Sequence, residues 1–285
     1  MMNIIRQVDE MQACVLSLRT AGKRIAFVPT MGYLHEGHLS LARAARKHGE
    51  VVILSIFVNP TQFGAGEDFA SYPRDLSRDS ALAEAAGVDI IFAPEAADMY
   101  PSGHATSVHV EGITETLCGV SRPDHFDGVT TVVSKLFGIV QPHAALFGMK
   151  DFQQLAVIRR MTADLNIPTQ IIGMPIVREA DGLAMSSRNK YLSAEMRHQA
   201  LALSDSIRAA TTAALQGETD AATLVELVKR RITQEPDARI DYVEICHATS
   251  LQAMENVDKN SVILVAVFFG TTRLIDNHYL LAPMD

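Results

Sequence analysis

Short apolar runs alternate with amphipathic segments along the first 175 residues of the chain. The apolar runs predict buried strands at 24–29, 51–58, 88–94, 145–148 and 169–175. Between them, apolar residues recur at helical spacing and predict helices at 39–49, 73–87, 128–142 and 151–166. Strands that alternate with helices form parallel sheets with right-handed crossovers. The pattern therefore predicts an α/β fold with a Rossmann-like, doubly wound parallel sheet.

The pattern changes after about residue 175. A polar stretch is followed by two helical segments, 194–217 and 219–234, and then by three strand patterns at 240–248, 261–270 and 272–280. Strands that follow one another without helices between them favour antiparallel pairing. We therefore expect residues 1–175 to form a Rossmann-like nucleotide-binding domain and residues 176–285 to form a smaller C-terminal α+β domain.

Three polar turns come directly after predicted strands of the first domain. They contain His35 and His38, Asn59 and Gln62, and Lys150 and Asp151. Ligands of open parallel sheets bind outside the carboxyl ends of the strands, so we expect the three turns to meet at one crevice. Gln62 has the neutral amide that suits the orientation of a small polar substrate. For Asn59, an Asn-Pro turn is the simpler interpretation.

The first of these turns, His35-Glu36-Gly37-His38, opens a predicted helix. Unpaired backbone N–H groups and the helix dipole attract phosphate to this end of a helix. Gly37 lets the backbone approach a ligand closely, and two imidazoles add donors where charge builds up during nucleotidyl transfer. The alternative is that His35 only caps the helix and that His38 is a surface residue.

Two further stretches favour phosphate binding. Lys150 and Asp151 lie at a strand-to-helix turn, where they could contact phosphate or its counter-ion, although Asp151 could also be a solvated helix cap. Ser186, Ser187 and Arg188 combine two hydroxyls with a guanidinium, which suits charge-assisted binding of a triphosphate. The alternative for this second stretch is a serine-rich linker.

Composition narrows the range of partners. The 285 residues carry a net charge of −8, without the broad basic field that binding of long nucleic acid requires. Three scattered cysteines without a CxxC pair indicate neither a disulfide framework nor a zinc cluster, and they fit a reducing compartment. The N-terminal residues lack a signal-peptide apolar core, and the longest apolar runs are too short to span a bilayer. We expect a cytoplasmic protein without nucleic-acid or membrane partners.

The stretches VPTMGYLHEGH, LSIFVNPTQFG, YPR, SRPDHFDGV, FGMKDFQQL, VREADGLAMSSRN and LID follow one another along nearly the whole chain. Together they resemble the pantothenate synthetase (pantoate–β-alanine ligase) family. The HxGH motif alone would indicate only the wider nucleotidyltransferase superfamily that includes class I aminoacyl-tRNA synthetases. The longer stretches make the resemblance specific.

The resemblance implies a two-step ligation that produces pantothenate. ATP and pantoate would give pantoyl-adenylate and pyrophosphate, and the amine of β-alanine would then displace AMP. Mg²⁺ is implied as the partner of the triphosphate, with its protein ligands left open. The first domain would also bind pantoate, the C-terminal domain would close on the nucleotide as a lid, and the protein would be a homodimer.

The resemblance also implies roles for individual residues. His38 would be catalytic, and Gln62 and Gln154 would hold pantoate, with Gln62 also near β-alanine. The implied ATP contacts are Met31, Gly32, Tyr33, Leu34, His35, Glu36, Gly37, His38, Gly148, Met149, Lys150, Asp151, Val177, Met185, Ser186, Ser187 and Arg188.

Two stretches depart from the family pattern. Met149 stands where an acid is usual, and Asp124 and Asp127 stand where Gly and Arg are usual. Since Met149 cannot form an ion pair, we expect Lys150 to rely on Asp151 or another carboxylate. The shape of the loop around Asp124 is left open.

Two alternative functions remain open on the sequence. One is an adenylyltransferase that transfers AMP to a phosphate-bearing substrate and forms no amide. The other is a nucleotide-binding or scaffold module without catalysis, although the retained phosphate-facing residues count against it. Pyrophosphate release that depends on pantoate, and AMP release that depends on an added amine, would separate the ligase from both.

Overall fold

The computed structural model describes residues 2–284. Its first sheet has six parallel strands, β1 (Asn3–Ile5), β2 (Ile25–Thr30), β3 (Val51–Ile56), β4 (Ile90–Phe92), β5 (Ala144–Gly148) and β6 (Gln170–Met174). Their order across the sheet is β1-β4-β3-β2-β5-β6, with every neighbouring pair parallel. The strand order reverses its direction between β2 and β5, which makes their carboxyl ends the topological switch point.

Helices cover both faces of this sheet. They are α1 (Val8–Thr20), α2 (Glu36–Ala45), α3 (Leu76–Ala85), α4 (Ala96–Met99), α5 (Cys118–Ser121), α6 (His125–Val140) and α7 (Phe152–Asp164). Alternate residues of β2 point to opposite faces, so Phe27 packs in the core with α1, α6 and α7, whereas Val28 packs in the core with α2 and α3. The predicted doubly wound sheet is confirmed.

A second, smaller unit follows β6. It contains α8 (Ala194–Ala200), α9 (Ala202–Leu215) and α10 (Ala221–Ile232), and the strands β7 (Ala238–His247), β8 (Ser261–Phe269) and β9 (Thr272–Tyr279). The three strands form an antiparallel sheet in the order β7-β8-β9, as predicted. Leu203, Leu224 and Val265 belong to its own hydrophobic core. The exact division into 1–175 and 176–285 stays a prediction.

An apolar cluster joins the two units. Leu117, Phe152 and Ala156 of the first unit pack with Cys246 and Leu264 of the antiparallel sheet. Because this cluster is buried, the C-terminal sheet is held against α7, the helix that follows β5. None of the helices within residues 2–284 has the length and apolar character needed to cross a membrane.

Some elements differ from the sequence prediction. Strand β1 and helix α1 were not predicted, because β1 has three residues and α1 buries only Met11 and Val15. The helix predicted at 194–217 is two helices that divide at Leu201. The helix predicted at 128–142 begins earlier, at His125.

Candidate active site

A cavity of about 220 Å³ lies at the carboxyl ends of β2 and β5. The turns after these strands, α6, and the loop at 175–188 form its walls. The predicted site residues that line it are Met31, His35, Gly37, His38, Gln62, Gly148, Lys150, Asp151, Gln154, Val177, Met185, Ser186, Ser187 and Arg188. The structure therefore brings separate motifs from both units to the switch point. Their contacts with substrates remain predictions.

Five predicted site residues lie outside the cavity walls. They are Gly32, Tyr33, Leu34, Glu36 and Met149. Leu34 is fully buried, and Glu36 forms an exposed ion pair with Arg43. The ring of Tyr33 contacts two cations, with Arg78 at 4.9 Å and Lys190 at 4.3 Å from its centroid. Tyr33 and Leu34 therefore belong to the turn before α2 and not to the cavity surface.

Asp79, a buried residue of α3, binds the backbone of the turn before α2. Its carboxylate accepts the backbone N–H groups of Tyr33 at 2.6 Å and Leu34 at 2.7 Å. Gly32 has φ +83°, and a Cβ there would lie 2.9 Å from Ile56 Cγ2, so glycine is required. Sequence reasoning missed Asp79 because an acid in the first turn of a helix is ordinary.

The two histidines of the first turn form a close pair whose ring planes are tilted by 34°. Their ring centroids are 4.0 Å apart, and the backbone N–H of His35 donates to Nδ1 of His38 at 3.4 Å. Since Nδ1 accepts this bond, a neutral His38 carries its proton on Nε2. His35 occupies the N-cap position of α2, but its side chain makes no capping hydrogen bond, and its Nδ1 has no hydrogen-bond partner among residues 2–284.

Both imidazoles are neutral at pH 7. Burial, followed by the nearby His35 and Lys150, lowers the pKa of His38 to about 3. Burial, followed by Lys150, lowers the pKa of His35 to about 4. The pair can therefore donate N–H groups to an anion without itself becoming cationic.

Gly37 allows the His35 ring to lie against the first turn of α2. A Cβ at residue 37 would lie 2.9 Å from Cε1 and 3.0 Å from Nδ1 of His35. Such a contact is shorter than side chains tolerate, so any larger residue would displace the ring. The glycine in the HxGH motif is thus explained by the position of the first histidine.

Asn59 orients the turn that carries Gln62. Asn59 is 1% exposed, and its Nδ2 donates to Gln62 Oε1 and to the carbonyl of Gly128, both at 3.1 Å. Its Oδ1 accepts the hydroxyl of Tyr100 at 2.8 Å. The simpler interpretation of Asn59 is correct, because it has a structural role and only Gln62 lines the cavity.

The loop that contains Asp124 and Asp127 also supports Gln62, through hydrogen bonds to its backbone carbonyl. His125 Nδ1 lies 2.8 Å from the carbonyl oxygen of Gln62, and Arg122 donates to His125 Nε2 at 3.1 Å. Burial and the charge of Arg122 lower the pKa of His125 to about 4, so the ring is neutral and donates from Nδ1. Asp124 adopts the left-handed conformation, with φ 62°, where a glycine is usual. Asp127 pairs with His109 at 2.7 Å and lies outside the cavity.

Adjacent glutamines in α7 have different roles. Gln153 is buried, and it accepts the N–H of Cys118 and donates to the carbonyls of Ile113 and Thr116. Gln154 lines the cavity. The contact of Gln154 with pantoate stays a prediction.

The two phosphate-binding candidates have different charge environments. Arg188 donates two hydrogen bonds to the carboxylate of Asp68, at 2.8 and 3.1 Å. Lys150, by contrast, has no carboxylate within 4.0 Å in the part of the chain that the structure covers. The expectation that Lys150 relies on Asp151 or another carboxylate is therefore wrong for the described residues. Met149 packs in the hydrophobic core, near Gly173, and its side chain does not reach the cavity.

A second cavity of about 80 Å³ adjoins the first. The two share Lys150, Asp151, Gln154, Ser186 and Arg188. Arg122, Tyr242 and Arg273 are among the residues that line only the smaller cavity. One connected site could therefore hold a nucleotide with one substrate and admit a second, small substrate.

The carboxylate of Asp151 suits a magnesium ion that is bound mainly by phosphate. No cluster of three His, Cys, Asp or Glu side chains with metal-site geometry occurs between residues 2 and 284. Asp151 is the carboxylate on the wall of the larger cavity. Mg²⁺ in phosphate-binding enzymes commonly uses one or two carboxylates together with substrate phosphates, so this site fits that mode.

The comparisons with known proteins agree on one family. The family model described as pantoate-beta-alanine ligase matches residues 3–279. The pantothenate synthetases of Syntrophotalea carbinolica and Geotalea daltonii are 63% and 59% identical over 280 and 279 residues, which cover 98% of this chain and 99% of each relative.

Solved structures lead to the same family. The crystal structure of pantothenate synthetase from Thermus thermophilus is 45% identical, with a TM-score of 0.94 over 99% of this chain and 100% of that chain. A pantoate-beta-alanine ligase from Francisella tularensis, complexed with beta-gamma ATP and beta-alanine, is 34% identical, with a TM-score of 0.84 over 99% of each chain.

Proposed function

Because the chain belongs to the pantoate-β-alanine ligase family, we propose that it condenses pantoate with β-alanine to form pantothenate, using ATP and releasing AMP and pyrophosphate. Pantothenate is vitamin B5, a precursor of coenzyme A. The observation that carries the proposal is the convergence of the histidine pair, Lys150 and the Ser186–Arg188 segment on one cavity. These groups suit a triphosphate, and the amides of Gln62 and Gln154 suit a hydroxy acid.

In the first step, a carboxylate oxygen of pantoate attacks the α-phosphorus of ATP. The bond from this phosphorus to the bridging oxygen breaks, and pyrophosphate leaves with the bonding pair. Gln62 and Gln154 hold pantoate, and the Nε2–H of His38 donates to the phosphate oxygens as negative charge grows. Positioned donors act strongly in such a partly enclosed site, because they need no reorganisation during the reaction.

In the second step, the free amine of β-alanine attacks the acyl carbon of pantoyl-adenylate. The bond between this carbon and the AMP oxygen breaks, AMP leaves with the bonding pair, and the amine nitrogen gives up one proton to solvent. Adenylation is needed because a carboxylate has no good leaving group of its own. The smaller cavity, which shares Lys150 and Asp151 with the larger one, gives the second substrate an approach to the adenylate.

Further parts of the proposal concern magnesium and organisation. Asp151 would hold Mg²⁺, which supplies charge neutralisation for the triphosphate when it is bound. Residues 1–175 bind nucleotide and pantoate, and residues 176–285 act as a lid, which the separate core of the second unit supports. The protein works in the cytoplasm as a homodimer, and light scattering of the purified protein would check the dimer.

The test is an AMP-release assay with ATP, pantoate and β-alanine, in which one component at a time is omitted. The proposal predicts AMP release only when all three are present. When ATP and pantoate are present but β-alanine is omitted, release of up to about one equivalent of pyrophosphate per site indicates a bound adenylate. AMP transfer to a phosphate-bearing acceptor, without amide formation, would instead identify an adenylyltransferase.

A further inference from the structure

Two consecutive residues of β9, Asp276 and Asn277, are buried although both are polar. They are 3% and 4% exposed. The sequence Leu274-Ile275-Asp276 was one of the stretches that resemble the family. Its pattern indicates no role for Asp276 or for Asn277. Buried polar side chains need hydrogen-bond partners, and the partners of these two residues lie in segments that form the candidate active site.

Asn277 binds the turn that carries Lys150. Its Nδ2 donates to the carbonyl of Met149 at 3.0 Å and to the carbonyl of Lys150 at 2.8 Å. This turn is the short helix Met149–Asp151, and Lys150 and Asp151 line both cavities. One amide group from the C-terminal sheet therefore fixes two successive peptide units of the turn after β5.

Asp276 binds the hairpin that precedes the Ser186–Arg188 segment. Its carboxylate accepts Nη1 and Nη2 of Arg178 at 2.6 and 2.9 Å. Arg178 Nη1 also donates to the carbonyl of Gly182, and the N–H of Met185 donates to the carbonyl of Val177 at 3.0 Å. Neighbouring residues of one strand thus hold two phosphate-facing segments that are far apart in the sequence.

We infer that Asn277 is a positioning residue for adenylate formation, which acts by fixing Lys150 relative to the Ser186–Arg188 segment. The inference rests on the proposed function. Lys150 has no ion pair in the described part of the chain, so its position depends on the backbone of its turn, which Asn277 holds. A displacement of about 1 Å at such a site can cost ~100-fold in rate.

The first test measures a single turnover of pyrophosphate release with ATP and pantoate in Asn277→Ala and Asn277→Asp. An ionised aspartate has the size of asparagine but cannot donate to the two carbonyls, so a cavity would not explain its effect. We expect each variant to be at least ~10-fold slower. The pantoate concentration that gives half the maximal rate should stay within about threefold of wild type, because Gln62 lies on a different turn and the buried side chains of Phe152 and Ala156 hold α7, which carries Gln154.

Gln199→Ala is the matched control. Gln199 is also a buried amide of the C-terminal unit, and its side chain binds Asp237 at 2.9 and 3.0 Å, away from the cavities. Its loss should lower the melting temperature as the Asn277 variants do, but leave adenylation within about twofold of wild type. Equal slowing by Gln199→Ala would show that general destabilisation explains the effect and would overturn the inference.

A double-mutant cycle with Lys150→Ala identifies the residue through which Asn277 acts. In the Lys150→Ala background, adding Asn277→Ala should change the adenylation rate by less than about threefold. If the two losses multiply instead, Asn277 does not act through Lys150, and the inference is wrong. If the wild type is active and the Asn277 variants are equally active, the inference is wrong, but the proposed function stands. Wild type that releases no pyrophosphate would overturn the proposed function as well.

Discussion

The backbone N–H of His35 donates to Nδ1 of His38, and this single bond determines which nitrogen of His38 faces the cavity as a donor. The ring centroids lie 4.0 Å apart with the ring planes tilted by 34°, and burial keeps both rings uncharged at neutral pH. The pair therefore provides directed N–H groups rather than positive charge. The positive charge on the cavity wall comes instead from Lys150 and Arg188.

The proposed role of His38 predicts different effects on the two half-reactions. His38→Ala should slow adenylate formation by about 10²–10³-fold, the usual loss when one preorganised donor is removed. The second half-reaction, started from synthetic pantoyl-adenylate and β-alanine, should lose less, because no pyrophosphate departs in it. Rapid-quench measurements of both steps in the same variant check this. Equal losses in the two steps would exclude a role specific to pyrophosphate departure.

The close contact between Gly37 and His35 predicts an unusual result for Gly37→Ala. Alanine favours helices over glycine by about 1 kcal/mol, yet its Cβ would collide with the His35 ring. We expect adenylation to fall by at least ~10-fold, without the gain in stability that the helix alone would give.

Gly138→Ala is the control for this substitution. Gly138 is an exposed residue of α6, and a Cβ there would meet nothing within 4 Å. This variant should gain about 0.5–1 kcal/mol in the free energy of unfolding and keep wild-type adenylation. If Gly37→Ala behaves in the same way, the proposed explanation of the motif is incorrect.

The buried histidines predict how stability depends on pH. The pKa of His125 is lowered to about 4 in the folded protein, from its ordinary 6.5, by burial and Arg122. Below pH 6.5 the unfolded chain therefore binds more protons, so this contribution to stability is complete above pH 6.5 and is lost as the pH falls towards 4.

Urea unfolding of wild type and His125→Gln between pH 7 and pH 4.5 measures this contribution. One proton corresponds to a slope of at most about 1.4 kcal/mol per pH unit. Over this range, stability should fall less steeply in the variant than in wild type. Parallel curves would mean that His125 is not neutral in the folded protein.

The sequence was sufficient to predict the central strands and the turns that follow them. Residues in β2, β3 and β5 are apolar because both faces of the sheet are covered, and their ends locate the site through a general rule of parallel sheets. Asp79 and Asn277 could not be predicted in the same way. Their partners are backbone groups distant in sequence, and a polar residue in a helix or edge strand has no local pattern that indicates such a partner.

The conformation of Asp124 also could not be predicted from the sequence. Asp124 stands where a glycine is usual, and the structure explains the preference, because the residue has positive φ before α6. Aspartate tolerates this conformation better than most residues. The sequence showed the departure from the family pattern, but the backbone conformation that makes it tolerable became apparent only in the structure.

Transfer of an oxygen atom tests the central claim, pantoyl-adenylate formation, most directly. The complete reaction is run with pantoate labelled with ¹⁸O in both carboxylate oxygens, and AMP, pyrophosphate and pantothenate are analysed by mass spectrometry. Since the carboxylate oxygen that attacks phosphorus remains in the phosphate of AMP, we expect one ¹⁸O in each AMP and one in each pantothenate. Unlabelled AMP would contradict the claim, because it would mean that pantoate was never joined to the α-phosphate.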